Sequence, residues 1–338
     1  MKPRALVLVL VPILAITAAC GGGEGTTTGA SGKKLDKVTL TLNWYPYGEH
    51  APFYYGKKQR IFEKHGLDLQ ISAGQGSQKT VQATGAGRTD FGWADTPALL
   101  AGVSTGLPVK SIGVFLQTTP ASVQSFTDKG IRKPADLKGR RIAGTAGDAL
   151  SRTFPAFLKK NGLKDSDVRV QNTDPAGKIA AVMSGQTDGL LGYASDQGPT
   201  MHNKSGKAVS YLRFSDFGLN FYSNGLLVGE RTLKSRSDLV KRMAAATSEA
   251  WTAAERDPAG AVAAMQGASQ QLPPAGVLAE QFKTTLTLLH TSATQGKAPG
   301  VNTEADWRQT IEVFTQTGVI GKAEPPTTYW DPALAPQG

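Results

Sequence analysis

The sequence predicts an α/β protein whose two lobes face each other across a shared crevice, because one pattern occurs twice. Residues 83–96 read A-T-G-A-G-R-T-D-F-G-W-A-D-T, which indicates a helix stopped by Gly85 and Gly87, a tight turn, a short strand and an Asp that begins the next helix. Residues 182–196, V-M-S-G-Q-T-D-G-L-L-G-Y-A-S-D, repeat the Gly-x-Thr-Asp turn, the strand and the final Asp. Ligands of open α/β sheets bind at the carboxyl ends of strands, so each copy predicts one wall of a crevice. The alternative is coincidence, since Gly and Thr-Asp are ordinary turn residues.

Length and composition are those of a globular protein with two domains. The chain has 338 residues, 40% of them hydrophobic and 19% charged, and its 39 Gly and 19 Pro predict many short connections. The net charge of +10 makes nucleic acid the first partner to consider. The Lys and Arg residues are dispersed, however, without a run of five or six, so we predict no nucleic-acid binding. A positive surface also suits an anionic membrane or cell wall.

The N-terminus has the pattern of a bacterial secretory signal. Lys2 and Arg4 precede an apolar run over residues 5–16, which is too short for a spanning helix, since that needs about 20 residues. Thr17-Ala18-Ala19-Cys20 resembles a lipobox, although Thr17 stands where Leu is usual. We therefore expect residues 1–19 to be a signal peptide and Cys20 to carry a lipid that anchors the protein to the outer face of the cell membrane. The mature chain then has no other cysteine and no disulfide.

The first lobe is predicted to combine residues 37–118 with residues 225–338, after a flexible tether over residues 20–36. Alternating apolar side chains predict a strand at Val38–Asn43, and the aromatic loop Trp44–His50 follows it. The other predicted elements are a helix from Ala51 to Gly66, a strand over residues 67–71, a helix that begins at Ser77, the strand and helix of the first repeated pattern, and the strand Val109–Gln117.

The second lobe is predicted over residues 119–224, entered through Gln117–Pro120 and left through Asn224–Gly229. Its predicted strands are Ile142-Ala143, Val168–Asn172, the strand of the second repeated pattern and Ala208–Phe214. Four helices are predicted after Arg231, at Asp238–Arg256, Ala259–Gln266, Val277–Leu289 and Glu304–Thr315. No strands separate them, so we expect them to pack around the first lobe.

Motifs of common enzymes and metal sites are weak or missing in the sequence. Gly74-Gln75-Gly76 lacks the third glycine of a dinucleotide fingerprint, and no phosphate-binding Gly-x-x-x-x-Gly-Lys-Ser/Thr occurs. Residues 102–106 match Gly-x-Ser-x-Gly but follow a helix, whereas a nucleophile elbow follows a strand. The four histidines lie in separate segments without ligand spacing, so we predict no metal and no cofactor.

The loops at the predicted crevice offer flat rings and hydrogen-bonding groups, which suit a small planar or polar solute. Stacking on one such ring contributes about 0.5–1.5 kcal/mol beyond burial. The predicted ligand-binding residues are Trp44, Tyr45, Tyr47, His50, Ser77, Trp93, Asp95, Gln117, Thr145, Asp148, Tyr193, Asp196, Tyr222 and Asn224. A structural role is the alternative, in which the tryptophans fill the core and the Asp residues only cap helices.

The order of several motifs resembles that of the SsuA/THI5-like (NMT1-like) solute-binding proteins, over about residues 38–260. The motifs are N-W-…-H-A-P-F-Y at 43–54, I-F-…-G-L-D-L at 61–69, Gly76-Ser77, T-D-F-G at 89–92, G-L-P-V at 106–109, D-L-K-G-R at 136–140 and S-G-Q-T-D-…-G-Y at 184–193. The resemblance implies a periplasmic-binding-protein type II fold, with two α/β lobes joined by two hinge crossings. It also implies a monomeric receptor that delivers a small solute to an ABC importer permease; relatives bind thiamine pyrimidine precursors, riboflavin, sulfonates, taurine or nitrate.

One branch of this family is enzymatic, the pyrimidine synthase of thiamine biosynthesis, which consumes its own histidine and carries an iron-linked cysteine run. By the order of motifs, that histidine falls near Ala98 and the cysteines fall within residues 219–224. This chain has Ala and L-N-F-Y-S-N at those places, so we predict that it is not an enzyme.

The aromatic loop favours a heterocycle as the ligand, and we predict a thiamine-precursor-like pyrimidine. A small anion such as a sulfonate, taurine or nitrate is the alternative, because the predicted helix N-termini at Ser77 and Thr145 can bind an anion. A surface lipoprotein with a purely structural role is the third hypothesis.

Overall fold

The computed structural model describes residues 26–29, 32, 34–146, 148–174 and 177–336. The predicted signal peptide and Cys20 therefore lie outside the described residues. Thr26–Thr28, which fall in the predicted tether, form a short strand that pairs antiparallel with Lys34–Asp36. The tether prediction is wrong for residues 26–28 and 34–36, because they pair with each other as strands.

The described residues form two sheets with helices packed on them. The strands are β1 Thr26–Thr28, β2 Lys34–Thr41, β3 Leu67–Ser72, β4 Phe91–Asp95, β5 Val109–Val114, β6 Ala121–Phe126, β7 Arg141–Gly144, β8 Arg169–Asn172, β9 Gly189–Tyr193, β10 Val209–Arg213 and β11 Asn224–Gly229. The helices are α1 Ala51–Lys58, α2 Ile61–Lys64, α3 Ser77–Gly85, α4 Thr96–Ser104, α5 Ala149–Lys160, α6 Gly177–Met183, α7 Gln197–Ser205, α8 Glu230–Ser235, α9 Ser237–Arg256, α10 Pro258–Ala263, α11 Ala275–Leu286 and α12 Glu304–Gln316. The predicted helix from Ala51 to Gly66 is two helices, because Arg60 adopts a left-handed backbone with φ 57°.

The two sheets confirm the predicted two-lobed α/β fold. The first sheet has the order β1-β2-β4-β11-β5, with β3 also paired to β2, and the second has the order β10-β6-β9-β7-β8. The chain passes from the first sheet to the second at residues 115–120 and returns at residues 214–223. The predicted return crossing at Asn224–Gly229 is wrong, because these residues are β11, which pairs with both β4 and β5 inside the first sheet.

The repeated sequence pattern corresponds to one structural unit in each sheet. A helix ends near a glycine with positive φ (Gly87, +68°; Gly185, +76°), and a strand follows that pairs in parallel with a neighbour. Gly85 is the last residue of α3 but has no positive φ, so of the two glycines expected to supply that conformation only Gly87 does. The strands β4 and β9 bring their carboxyl ends to the region between the two sheets, where Asp95 and Tyr193 meet.

The Asp of each Thr-Asp turn fastens its unit to the neighbouring strand. Asp90 accepts hydrogen bonds from the backbone N–H of Thr39 at 2.8 Å and from its hydroxyl at 2.7 Å. Asp188 accepts one from the backbone N–H of Arg141 at 2.9 Å. Because both turns use the carboxylate in the same way, the repeat is a structural device and not a coincidence.

The C-terminal helices pack mainly, but not solely, on the first sheet. Helix α9 lies against α1, and its Trp251 stacks on Trp93 of β4 with ring centroids 5.5 Å apart. Helix α11 also contacts α7 of the second lobe, and Phe314 of α12 packs edge-on to Phe221 in the return crossing. The tail therefore touches both lobes. In the described part of the chain, no helix is long and apolar enough to cross a bilayer.

The aromatic loop approaches α11 so closely that only glycine fits at position 48. A β-carbon at Gly48 would lie 2.5 Å from Gln281 Cβ and 2.5 Å from the Leu278 carbonyl oxygen. Gly276, on the same helix, has open space around its own ideal β-carbon position.

We predict that Gly48→Ala lowers the free energy of unfolding by about 1–3 kcal/mol, as overpacking does. The matched control, Gly276→Ala, should be neutral or stabilise by up to about 1 kcal/mol, since alanine favours a helix. Urea denaturation measures both. Equal stability of the two variants would contradict the close approach of the loop to α11.

Candidate functional site

A cleft between the two lobes brings together six of the predicted ligand-binding residues. The space between the atoms of this cleft amounts to about 370 Å³, including the part that is open to solvent. Its predicted wall residues are Trp44, Tyr47, Ser77, Asp148, Tyr193 and Asp196. The wall residues that the sequence analysis missed are Asn43, Gly76, Leu150, Lys178, Gly192 and Gln197. Four of these, Asn43, Gly76, Gly192 and Gln197, adjoin predicted wall residues in the sequence, whereas Lys178 lies on a helix that gave no functional signal.

His50 supports the aromatic loop and does not line the cleft. It is completely buried, its Nδ1 accepts a hydrogen bond from the Tyr47 backbone N–H at 3.3 Å, and its Nε2 donates to Asn43 at 2.8 Å. Burial lowers the pKa of His50 to about 3, so the ring is neutral. The predicted contact of His50 with ligand is therefore replaced by a positioning role.

Glu49 is a residue of the aromatic loop whose carboxyl group is fully buried, and the sequence analysis did not predict a role for it. It accepts hydrogen bonds from Tyr47 Oη at 2.5 Å, from Trp93 Nε1 at 2.7 Å and from Asn224 Nδ2 at 2.6 Å. Burial raises the pKa of Glu49 to about 7, against the opposing effect of these three donors. Trp93 and Asn224 were predicted to contact ligand, but neither lines the cleft. Trp93 packs in the core, and both side chains donate hydrogen bonds to Glu49.

Asp95 and Tyr193 join the carboxyl ends of the two repeated units. Tyr193 Oη donates to Asp95 Oδ2 at 2.5 Å, across the cleft. Asp95 makes no side-chain capping bond to α4, which corrects the structural alternative for this residue. Burial raises the pKa of Asp95 to about 7. Ser77 lies beside it, because its Oγ accepts the Asp95 backbone N–H at 3.1 Å.

Two Asp residues and one Lys are the ionisable acids and the cation on the cleft wall of the second lobe. Asp148 caps α5 by accepting the Ser151 backbone N–H at 2.8 Å, and its other oxygen lies 3.6 Å from Lys178 Nζ. Burial raises the pKa of Asp196 to about 7, although the Lys178 charge acts in the opposite direction.

Gln281 of α11 is a second bridge between the lobes. Its Oε1 accepts the Gly48 backbone N–H at 2.9 Å, and its Nε2 donates to the Asp196 carbonyl oxygen at 2.9 Å. One buried amide therefore connects the aromatic loop to the start of α7.

Four other predicted residues are placed away from the wall. Tyr45 is partly exposed and meets Trp44 edge-on at 6.1 Å. Gln117 bonds to Val301 and Thr294, and Tyr222 is buried edge-on against Trp307, so both are structural. Thr145 is buried, and its hydroxyl has no hydrogen-bond partner among the described residues. None of these four side chains lies on the cleft wall, so ligand contact by Tyr45, Gln117, Thr145 and Tyr222 stays a prediction.

The electrostatics of the cleft are dominated by carboxyl groups. Asp148 and Asp196 line it, Glu49 and Asp95 lie directly behind it, and Lys178 is the one cation among its described wall residues. No group of three or more His, Cys, Asp or Glu side chains in the described residues could hold a metal ion. The arrangement suits a flat solute that donates hydrogen bonds or carries a positive charge.

Comparison with known proteins places this arrangement among solute receptors. The profile of the NMT1/THI5-like family matches residues 48–261. The riboflavin-binding protein RibY of Chloroflexus aurantiacus is 26% identical over 260 residues, 73% of each chain. The formylaminopyrimidine-binding protein of Halalkalibacterium halodurans is 24% identical over 239 residues, 70% of each chain. The structure of the alkanesulfonate-binding protein SsuA of Xanthomonas axonopodis pv. citri, bound to MOPS, superposes with a TM-score of 0.67 at 19% identity, covering 87% of this chain and 98% of that one.

The raised carboxyl pKa values make stability depend on pH with a definite sign. Glu49, Asp95 and Asp196 keep their protons to about pH 7 when folded but lose them near pH 4 to 4.5 when unfolded. The folded state therefore binds more protons between these values, and the free energy of unfolding falls as the pH rises through that window. His50 has the opposite effect, but only below its ordinary pKa of 6.5.

We predict that the free energy of unfolding falls between pH 6 and pH 8, and that Glu49→Gln reduces this fall. Glutamine keeps an acceptor for Trp93 and Asn224 while removing the titrating group. Glu63→Gln, at a surface position of α2, is the control and should keep the wild-type pH dependence. Urea denaturation at both pH values measures the difference. A wild-type protein that gains stability over this range would contradict the burial of these carboxyl groups.

Proposed function

We propose that this chain, which belongs to the NMT1/THI5-like family, is the solute-binding protein of an ABC importer and takes a small nitrogen heterocycle of the aminopyrimidine type. The observation that carries the proposal is the composition of the cleft: the partly exposed Trp44 ring on one side and the carboxyl groups of Asp148 and Asp196 on the other. A flat ring can stack on the indole while its amino group donates to a carboxylate. The names of two relatives, for riboflavin and formylaminopyrimidine, support a heterocycle.

A sulfonate or nitrate ligand is the alternative, and Lys178 is the observation in its favour. Lys178, however, already faces Asp148 at 3.6 Å, and Asp196 adds a further carboxyl group. An anion would have to share the Lys178 ammonium with the Asp148 carboxylate in a poorly solvated site, where like charges repel strongly. Of the two helix starts predicted to bind an anion, Ser77 lines the cleft and Thr145 does not. The charge balance therefore favours a neutral or cationic solute.

We also propose that the protein is not an enzyme. The pyrimidine synthase branch needs a reactive histidine and a cysteine run, and the corresponding places hold Ala98 and L-N-F-Y-S-N at residues 219–224. Ala98 is buried within α4, where it has only a packing role.

The cellular setting that fits this function is a lipid-anchored monomer outside the cell membrane. We propose cleavage before Cys20, a first lobe that contains β1–β5, β11 and the helices after β11, and a second lobe that contains β6–β10. Closure is proposed to work by population shift, because a solute that touches both lobes binds the closed form more tightly than the open form. In this proposal, the Tyr193–Asp95 and Gln281–Asp196 hydrogen bonds, which join the two lobes, belong to the closed form.

We predict that a heterocycle, and no small anion, raises the melting temperature of the mature protein. The panel is 4-amino-5-hydroxymethyl-2-methylpyrimidine, riboflavin, taurine, methanesulfonate and nitrate, each followed by calorimetric titration. Binding to the folded state alone stabilises it by mass action. Stabilisation by taurine or nitrate, with none by a heterocycle, would overturn the ligand class. If riboflavin alone raises the melting temperature, the ligand is still a heterocycle but is a flavin and not an aminopyrimidine.

We predict that Trp44→Ala weakens binding of the stabilising heterocycle by about 1 kcal/mol, roughly fivefold, because a stacking face is lost. Tyr45→Ala is the matched control: Tyr45 adjoins Trp44 in the same loop and is also partly exposed, but does not line the cleft. It should change affinity by less than about twofold. If both substitutions weaken binding equally, the loop acts as a whole and Trp44 is not a stacking platform.

A further inference from the structure

Lys178 is a buried ammonium group in a cleft that otherwise carries carboxyl groups. It lies near the start of α6, is only 2% exposed, and lines the cavity. Burying an ammonium group is costly unless its N–H groups find acceptors.

Lys178, which lines the cavity, has more N–H groups than acceptors at hydrogen-bond distance among the described residues. Its Nζ donates to the Leu191 carbonyl oxygen at 3.0 Å. The Asp148 carboxylate, at 3.6 Å, is within ion-pair range but beyond hydrogen-bond distance. The ammonium also lies 5.1 Å from the centre of the Trp44 ring, on the face that a solute would stack against. An ammonium has three N–H groups, and among the described residues only the Leu191 oxygen accepts one at hydrogen-bond distance.

The surroundings of Lys178 fit a neutral acceptor better than an anion. The Asp148 carboxylate is fixed, because its other oxygen caps α5 through Ser151. Asp196 contributes a second carboxyl group, whose pKa burial raises to about 7 while the Lys178 charge acts in the opposite direction. The positive charge is thus already balanced within the second lobe, while an N–H group remains available for a ring nitrogen or a carbonyl oxygen.

We infer that Lys178 is a specificity-determining residue, which leaves the face of Trp44 when solute binds and donates a hydrogen bond to an acceptor atom in the solute ring. The solute ring then takes the place of the ammonium on Trp44, and its amino group faces Asp148 or Asp196. This inference rests on the proposed function. It adds that the receptor recognises a hydrogen-bond acceptor next to a hydrogen-bond donor on the solute, which is the pattern of an amidine or amide edge.

Selectivity between a pyrimidine and its carbocyclic analogue tests the inference. The probes are 4-amino-5-hydroxymethyl-2-methylpyrimidine and 2-amino-4-methylbenzyl alcohol, which keeps the substituents but replaces both ring nitrogens by C–H. Affinities are measured by calorimetry for the wild type and Lys178→Met, whose side chain fills similar space without donors. A hydrogen bond from a charged donor is expected to contribute about ten- to hundredfold. The wild type should therefore prefer the pyrimidine, and Lys178→Met should reduce that preference at least tenfold.

A double variant separates this role from simple loss of charge balance. Lys178→Met leaves Asp148 without its ion-pair partner, so Lys178→Met with Asp148→Asn is measured as well and should show the same loss of preference. An unchanged preference in both variants, or a wild type that does not discriminate between the probes, would overturn the role of Lys178. If the wild type binds no heterocycle of the wider panel, the proposed function fails with it, and the two failures are thereby distinguished.

Discussion

The wall of the first lobe depends on one buried carboxyl group. Glu49 has no access to solvent, and its burial is tolerated because Tyr47, Trp93 and Asn224 each donate a hydrogen bond to it. These donors come from the aromatic loop, from β4 and from β11, so a single desolvated group fixes the loop relative to the two central strands of its sheet. Without it, three buried donors would lose their partner, and the loop that carries Trp44 would lose these bonds to the sheet.

The second constraint is the repeated strand-and-turn unit, which places polar groups of both lobes at the same cleft. Asp90 and Asp188 fasten the two units to their neighbouring strands, and the strands then end at Asp95 and Tyr193. A solute that enters must compete with the short hydrogen bond between these two side chains or use it as part of its site. We propose that recognition and closure are the same event, since a solute that touches both lobes favours the closed form.

The sequence predicted what is local and missed what arises from packing. Trp44 and Tyr193 follow or end strands, and Asp148 precedes a helix, so their positions at the carboxyl edges could be inferred without a structure. Trp93 was placed wrongly because strand alternation alone does not tell which face meets α9, where Trp251 lies. Glu49, Lys178 and Gln281 were missed for a different reason: their partners lie on other elements, up to 233 residues away in the case of Gly48 and Gln281.

In the bound state that we propose, a heterocycle stacks on Trp44 between the lobes and is held there by carboxyl groups of the second lobe. A crystal structure of the mature protein with 4-amino-5-hydroxymethyl-2-methylpyrimidine is the most direct test. We expect a ring parallel to the Trp44 indole, an amino group within hydrogen-bond distance of Asp148 or Asp196, and Lys178 Nζ moved from the indole face to a ring nitrogen. A pyrimidine bound outside the cleft, or one whose ring contacts neither Trp44 nor these carboxyl groups, would contradict it.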